Sequence, residues 1–399
     1  MPAIEIKKDI HWIGAVDFNL RNFHGYSLAR RGTTYNAFLI MDEEITLVDT
    51  VAAKFTSEML HHIRQVVDPA KIDTIIVNHV EPDHSGALRK IVEEVKPKRI
   101  VCSPMGKQTL IEHNHPQDWP YQVVKTGDSI SLGKRTVQFL ETRMLHWPDS
   151  MFSFIPEDKL LFSSDAFGQN WASTERFDDE VDLNALLKES SHYYANIVLP
   201  FSNLVQKVLA KVGELGLDID MIAPDHGLIW RSHPDKILAA YDAYSRQEPQ
   251  RKAVIVYDTM WRSTEMMANA VTEALVERGV SVKPMHLKAF HHSDVMAEVI
   301  DAAAVLVGSP THNNSMMPLV ADVLTYMKGL KPVKKISAAF GSYGWSGEAV
   351  KHITARLEEM KFDIVQPGVR SKYVPGHEQL AECKQLGYAV ADAIDNSVG

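Results

Sequence analysis

Cysteine is almost missing from this chain: Cys102 and Cys383 are the only two in 399 residues. Two thiols cannot build a disulfide framework, a four-cysteine iron centre or a zinc ribbon. No apolar run reaches the about 18 residues that a bilayer-crossing helix needs. The first residues carry no apolar signal core, so a cytoplasmic location is expected. Basic residues are also in deficit, with 42 Lys plus Arg against 51 Asp plus Glu. The resulting net charge of −9 argues against nucleic acid or an anionic membrane as partner. With 45% hydrophobic and 23% charged residues the chain is neither disordered nor a coiled coil. Histidine is in surplus at 18, which turns attention to metal ligation.

A chain of this length is expected to form two domains. The polar segment 245–252, with Pro249 inside it, is the linker candidate, and it sets expected domains of 1–250 and 251–399. The second half alternates strand patterns (253–257, 280–287, 303–308, 336–341, 362–369) with helical ones (264–278, 294–300, 318–328, 347–360, 379–394). Five such alternations predict a doubly wound α/β domain around a parallel sheet. The first half reads as α+β. A hairpin is expected over 34–41 and 44–51, then strands at 72–78, 99–102, 121–124, 136–140, 152–155 and 160–163. Helices are expected at 53–66, 84–95 and 183–212, the last broken at Pro200.

The densest chemical signal is His79-Val80-Glu81-Pro82-Asp83-His84, placed between a strand pattern and a helix pattern. Alternate residues of an extended turn project to one side, so His79 and Glu81 can converge. Asp83 and His84, at the helix opening, reach a second point. Two pairs of ligands from one turn point to two metals a few ångströms apart. Three more segments follow strand patterns: His146 in Leu145–Asp149, Asp165 in Ser163–Phe167, and His226 in Ala223–Gly227. Taken singly, each of these three also reads as a cap, a turn former or an ordinary buried polar residue.

Together these four segments resemble the metallo-β-lactamase superfamily over roughly residues 30–230. The resemblance implies an αββα sandwich. Where the hydrolases of that superfamily carry a second histidine, this chain has Glu81. The candidate donors are then His79, His84, His146 and His226 with Glu81, Asp83 and Asp165. Three hard carboxylates favour iron or manganese over zinc, which has no redox chemistry. The aromatic and polar residues His24, Tyr26, Trp147, Tyr193 and Tyr194 are expected around this pocket, without a catalytic assignment.

In the second half, Thr259-Met260-Trp261-Arg262-Ser263-Thr264 lies between the first strand and its helix. A hydroxyl-rich turn at a helix N-terminus holds a phosphate through backbone N–H groups and side-chain donors. It resembles the flavodoxin phosphate loop, with Thr259 and Thr264 at the outer threonine positions. Trp261 and Arg262 replace the inner threonine and glycine. Two more loops, Thr311-His312-Asn313-Asn314 and Ser342-Tyr343-Gly344-Trp345-Ser346-Gly347, follow the third and fourth strands. In a sheet of order 2-1-3-4-5 the three loops open at one crevice. Tyr343 or Trp345 is placed to stack on a flavin ring. These residues are expected to bind FMN. A dinucleotide is disfavoured because no G-x-G-x-x-G follows the first strand.

A metallo-β-lactamase-like half followed by a flavodoxin-like half resembles the flavodiiron proteins over essentially the whole chain. That resemblance implies two non-haem irons. The first takes His79, Glu81, His146 and Asp165, the second Asp83, His84, Asp165 and His226, with Asp165 bridging. In some members water replaces the residue at His84. No catalytic residue beyond these ligands is implied. The implied activity is reduction of nitric oxide to nitrous oxide or of dioxygen to water. A diferrous pair and a reduced flavin together hold the four electrons that one dioxygen requires. The implied partners are a rubredoxin-type or flavin-rubredoxin electron donor and a second copy in a head-to-tail homodimer, or a dimer of such dimers. The competing reading is a dizinc hydrolase fused to a flavodoxin domain, against which Glu81 argues.

Overall fold

The computed structural model describes residues 2–115 and 118–398. The chain divides into two compact units. Met1–Gly25, Ala29–Tyr193 and Phe201–Asp242 form one, and Tyr26–Leu28, Tyr194–Pro200 and Ala243–Gly399 the other. Among the described residues no helix is long and apolar enough to cross a membrane.

The first unit stacks two sheets. One has seven strands in the order Ile4–Lys7, Ile10–Trp12, Phe38–Ile40, Thr46–Val48, Thr74–Val77, Arg99–Cys102, Tyr121–Val123. The other has five: Ser129–Ser131, Thr136–Glu141, Met151–Ile155, Leu160–Phe162, Met221–Ala223. Alternation decides the layers. Val48, Ile76 and Val101 face the second sheet and meet Val137, Phe139, Met151 and Phe162 there. Their neighbours Leu47, Ile75, Val77 and Ile100 point the other way, onto helices. One of these is Leu88–Val95, which buries Leu88, Ile91, Val92 and Val95 at helical spacing. Thr74–Val77 is buried at every position, because parallel neighbours and a layer on each face leave no wet side.

The expected hairpin needs correction. Phe38–Ile40 does pair antiparallel with Thr46–Val48, but Thr33–Tyr35 leaves that sheet and pairs with Ala15–Asp17. The break falls at Asn36, whose amide donates to the Pro224 and Gly227 carbonyls (2.7 and 3.0 Å) and accepts from the Trp12 indole (2.8 Å). A buried amide with its partners on another loop cannot also sit in a regular apolar arm. The long helical pattern 183–212 breaks where expected. Leu183–Tyr193 passes through a π-helical turn, Tyr194–Val198, and a 3₁₀ turn, Leu199–Phe201, before Ser202–Glu214. The linker is shorter than expected. The helix Pro234–Arg246 and the strand Gln250–Tyr257 consume most of 245–252, leaving 247–249 between them.

The second unit is a six-stranded parallel sheet. Its path runs Ser281–His286, Gln250–Tyr257, Ala302–Gly308, Ile336–Tyr343, Asp363–Ile364, which is the order 2-1-3-4-5 in chain sequence. The single strand expected at 362–369 is two, because Val369–Lys372 separately pairs with the far end of Ile336–Tyr343. Ser263–Glu277 and His377–Val398 pack together over one face, joining the core around Ala253, Ile255 and Phe340. Gly387 permits this approach: a Cβ there would lie 2.7 Å from Ala274 Cβ.

Candidate metal centre and cofactor cradle

The site begins where Thr74–Val77 ends. Asp49 accepts from the Asn78 backbone N–H (2.7 Å) and side-chain amide (2.9 Å), which stops the strand. Asp149 then takes the Val80 N–H at 2.7 Å and turns the chain outward. Pro82 opens a single helical turn, Pro82–Ser85, with proline's fixed φ suited to that first position. His79, Glu81, Asp83 and His84 thereby enter one cavity. The connection from Thr136–Glu141 to Met151–Ile155 brings His146, and the turn after Leu160–Phe162 brings Asp165. The turn after Met221–Ala223 brings His226.

Two donor groups result. His79, Glu81, His146 and Asp165 offer ligand atoms all within 4.8 Å of one another, and so do Asp83, His84 and His226. Asp165 links them. Its Oδ2 lies 2.8 Å from His146 Nε2 and 3.3 Å from His79 Nε2, while its Oδ1 lies 3.2 Å from His84 Nε2 and 3.3 Å from His226 Nε2. His146 Nε2 also approaches Glu81 at 3.1 Å, and His226 Nε2 approaches Asp83 at 3.3 Å. Both Asp83 oxygens and Asp165 Oδ1 are buried without a hydrogen-bond donor. Buried carboxylate oxygens left so are costly unless a cation meets them. The mixture of imidazole and hard oxygen donors fits iron.

The electrostatics agree. Burial alone would raise the Asp165 carboxyl, but His84, His146 and His79 outweigh it and hold it well below its ordinary range. Burial likewise opposes ionisation of Glu81, and hydrogen bonds from His146 and His79 bring it down to about 2. His84 runs against its own burial to about 10, driven by Asp83 and Asp165. Without metal, imidazolium charges balance these carboxylates; with metal, the imidazoles coordinate as neutral donors.

An outer layer orients the rings, and this the sequence did not disclose. His79 Nδ1–H donates to Asp149 (3.0 Å) and His226 Nδ1–H donates to the Thr34 carbonyl (2.7 Å), so each presents Nε2 to the cavity. His84 Nδ1 faces Asp225 at 3.8 Å. Asp149 and Asp225 both sit in the short motifs read from the sequence, but a hydrogen bond across 70 residues has no local pattern. His24 Nε2 stands 3.2 Å from Glu81. Trp147 packs 5.2 Å from the His79 ring, and Tyr193 lies 5.9 Å from that of His226. Tyr26 and Tyr194, expected at the same pocket, belong to the second unit, where they pack on Tyr326 and Tyr244.

In the second unit the three expected loops surround a cavity of about 680 Å³. Its lining includes Met260, Trp261 and Ser263, then Thr311, His312, Asn313 and Asn314, then Ser342, Tyr343, Gly344, Trp345 and Ser346. Pro310, Tyr373 and Val374 also line it and were not anticipated. Thr259, Arg262, Thr264 and Gly347 fall outside the lining. Thr264 is buried and its hydroxyl meets Ser342 Oγ at 3.0 Å. The Thr259 hydroxyl is buried without a partner at the mouth of the helix Ser263–Glu277, as a phosphate-binding donor would be. Arg262, in the left-handed region at φ 68°, takes the glycine role in this turn and pairs outward with Glu265. Trp261 and Trp345 stand 85% and 89% exposed, broad apolar faces open to a planar ring.

Comparison with known proteins now decides the family. A family described as ODP family beta lactamase matches residues 33–227, and the Flavodoxin family matches 255–387. Rubredoxin-oxygen oxidoreductase of Megalodesulfovibrio gigas is 46% identical over 396 residues, 99% of this chain and 98% of that protein. Its solved structure superposes with a TM-score of 0.98 over the full length of both chains. Nitric oxide reductase of Moorella thermoacetica is 46% identical over 98% of each chain. The flavodiiron protein of Giardia intestinalis is 32% identical, with a TM-score of 0.96 over 100% of this chain and 98% of that one. This chain belongs to the flavodiiron proteins. The β-lactamase-like first unit and flavodoxin second unit are the architecture of that family. The hydrolase reading is not favoured, since none of the named relatives is a hydrolase.

Proposed function

We propose that this flavodiiron protein reduces nitric oxide to nitrous oxide, dioxygen to water, or both. Its centre is a diiron site held by His79, Glu81, His146 and Asp165 on one side and by Asp83, His84, Asp165 and His226 on the other. The observation that carries the reading is Asp165, whose two oxygens divide between the two donor groups. Iron and FMN, when bound, supply the electrons that reduce the gas. The protein's own residues prepare the cavity for that task. Asp149 and the Thr34 carbonyl fix two ring tautomers, Trp147 and Phe23 add apolar surface beside the rings, and Tyr193 brings a buried hydroxyl without a hydrogen-bond partner. Nitric oxide and dioxygen are small and nearly apolar, so their entry needs no charged recognition group.

FMN is held by the loops 259–264, 311–314 and 342–347, with the phosphate on Thr259, Ser263 and Thr264 and the ring between Trp261 and Trp345. Electrons come from a rubredoxin-type donor. The active form is a head-to-tail homodimer, or a dimer of such dimers, in which the flavin of one copy serves the metal centre of the other; the short 247–249 connection supports this. Two buried, unpaired cysteines fit a cytoplasmic setting.

Elemental analysis and a visible spectrum of purified protein test the reading. Iron with FMN supports it. Zinc with FMN, or FMN without metal, refutes it.

A further inference from the structure

Thr259, 6% exposed, is held at both ends of its backbone. Its N–H donates to Asp258 Oδ1 at 2.7 Å, and its carbonyl accepts from Lys288 Nζ at 3.2 Å. Its hydroxyl is buried without a partner. Loops that cradle a phosphate usually offer it backbone N–H groups. Here the Thr259 N–H is already taken by a carboxylate, so this residue serves an anion through its hydroxyl alone.

Asp258 makes that arrangement costly by itself. It is 1% exposed and directly follows the strand Gln250–Tyr257. A buried carboxylate close to a phosphate monoester, which carries a charge of about −1.5 to −2, is repulsive. The neighbouring strand supplies the compensating charge. Ser281–His286 pairs parallel with Gln250–Tyr257 in a register that sets His286 opposite Tyr257, and their rings stack with centroids 5.1 Å apart and planes within 9°. Leu287 N–H continues the pairing to the Tyr257 carbonyl at 2.9 Å. The N–H groups of Ala289 and Phe290 then close a turn on the His286 carbonyl (2.9 and 3.1 Å). That turn brings Lys288 Nζ to 3.9 Å from Asp258 Oδ1, while His286 Nε2 lies 3.4 Å from the same oxygen. Lys288 lies outside the three loops read from the sequence.

We infer that Lys288 is a positioning residue for the flavin phosphate. It clamps the Thr259 carbonyl and neutralises Asp258, so that the Thr259 hydroxyl meets the phosphate without the opposing field of a carboxylate. The Lys288 side chain is 54% exposed, so its effect is moderate and is screened by salt. The inference rests on the reading of 259–264 as the phosphate loop.

The test titrates flavin-free, full-length protein with FMN and with riboflavin, which lacks the phosphate, and follows the quenching of flavin fluorescence. Wild type is compared with Lys288→Met and with the double variant Lys288→Met, Asp258→Asn. Wild type is expected to bind FMN more tightly than riboflavin. Lys288→Met should raise the FMN dissociation constant about fivefold and leave that of riboflavin unchanged. The double variant should recover most of that loss, because asparagine keeps an oxygen for the Thr259 N–H but carries no charge. Equal weakening of both flavins, no weakening of FMN, or no recovery in the double variant would overturn the inference. Wild type that shows no preference for FMN over riboflavin would instead overturn the phosphate-loop reading, and this inference with it.

Discussion

His79 and Asp149 are joined at 3.0 Å across a fully buried contact, and the same Asp149 carboxylate holds the backbone N–H of Val80. One acidic group therefore fixes both the ring and the turn that presents it. Replacing Asp149 by Ala is expected to weaken metal binding about 10- to 100-fold while leaving the flavin in place. Competition with a chromophoric chelator measures the first quantity and FMN absorbance the second. Unchanged metal affinity would remove Asp149 from the account.

Asp165 touches both donor groups, so its loss is expected to be more severe than that of any one histidine. Asp165→Ala should lose gas reduction and most bound iron while retaining FMN. Iron per flavin, measured on the same sample, decides this.

The metal-free centre has a defined pH behaviour. Glu81 ionises at about 2 in the folded protein against an ordinary 4.5, so its stabilising contribution is present above 4.5 and is lost as pH falls toward 2. His84 protonates at about 10 against 6.5, so its contribution is complete below 6.5 and is lost as pH rises through 10. Metal-free protein should therefore melt highest between pH 4.5 and 6.5 as far as these two groups decide it. Iron binding demands neutral imidazoles, so it should release protons and tighten as pH rises over the same upper range. Proton release measured by calorimetry in buffers of different ionisation enthalpy checks the sign.

Thr264→Ala removes the partner of Ser342 and, in the proposed FMN site, one phosphate donor. A net hydrogen bond of about 1 kcal/mol predicts an FMN dissociation constant raised about fivefold, without change at the metal centre. Quenching of flavin fluorescence reads it.

Gly387 gives a prediction about packing alone. Alanine would gain about 1 kcal/mol of helix propensity over glycine. Its Cβ would stand 2.7 Å from Ala274 Cβ and 2.9 Å from the Val271 carbonyl, and overpacking costs about 1–3 kcal/mol. The clash is expected to win, so Gly387→Ala should lower the melting temperature of the flavodoxin unit, as followed by circular dichroism.

Much of this molecule could be read before folding, for identifiable reasons. The segment 79–84 packs four donors into one turn, and the alternating second half carries β-branched strands buried on both faces, a pattern with few other solutions. The order 2-1-3-4-5 came with the resemblance to flavodoxin, and the three ligand-competent loops agreed with it because that order opens them at one crevice. What escaped depended on contacts distant in sequence. Asp149 and the Thr34 carbonyl act through ring nitrogens of residues 70 and 192 positions away. Asn36 splits an apolar run because its partners sit on the His226 loop. Tyr26 and Tyr194 were misplaced because adjacency to His24 and Tyr193 does not tell which unit a side chain enters. The helix Pro104–Asn114 was missed although Ser103 and Pro104 announce it, since it buries only Gly106 and Leu110 and shows no apolar stripe.

The most direct test is anaerobic turnover of the iron- and FMN-loaded protein with chemically reduced rubredoxin, adding nitric oxide or dioxygen in turn and following gas consumption with an electrode. Rapid, rubredoxin-dependent consumption of at least one gas, abolished in Asp165→Ala, is the predicted result. Loaded protein that oxidises rubredoxin no faster than the flavodoxin unit's free flavin would, and consumes neither gas, would contradict it.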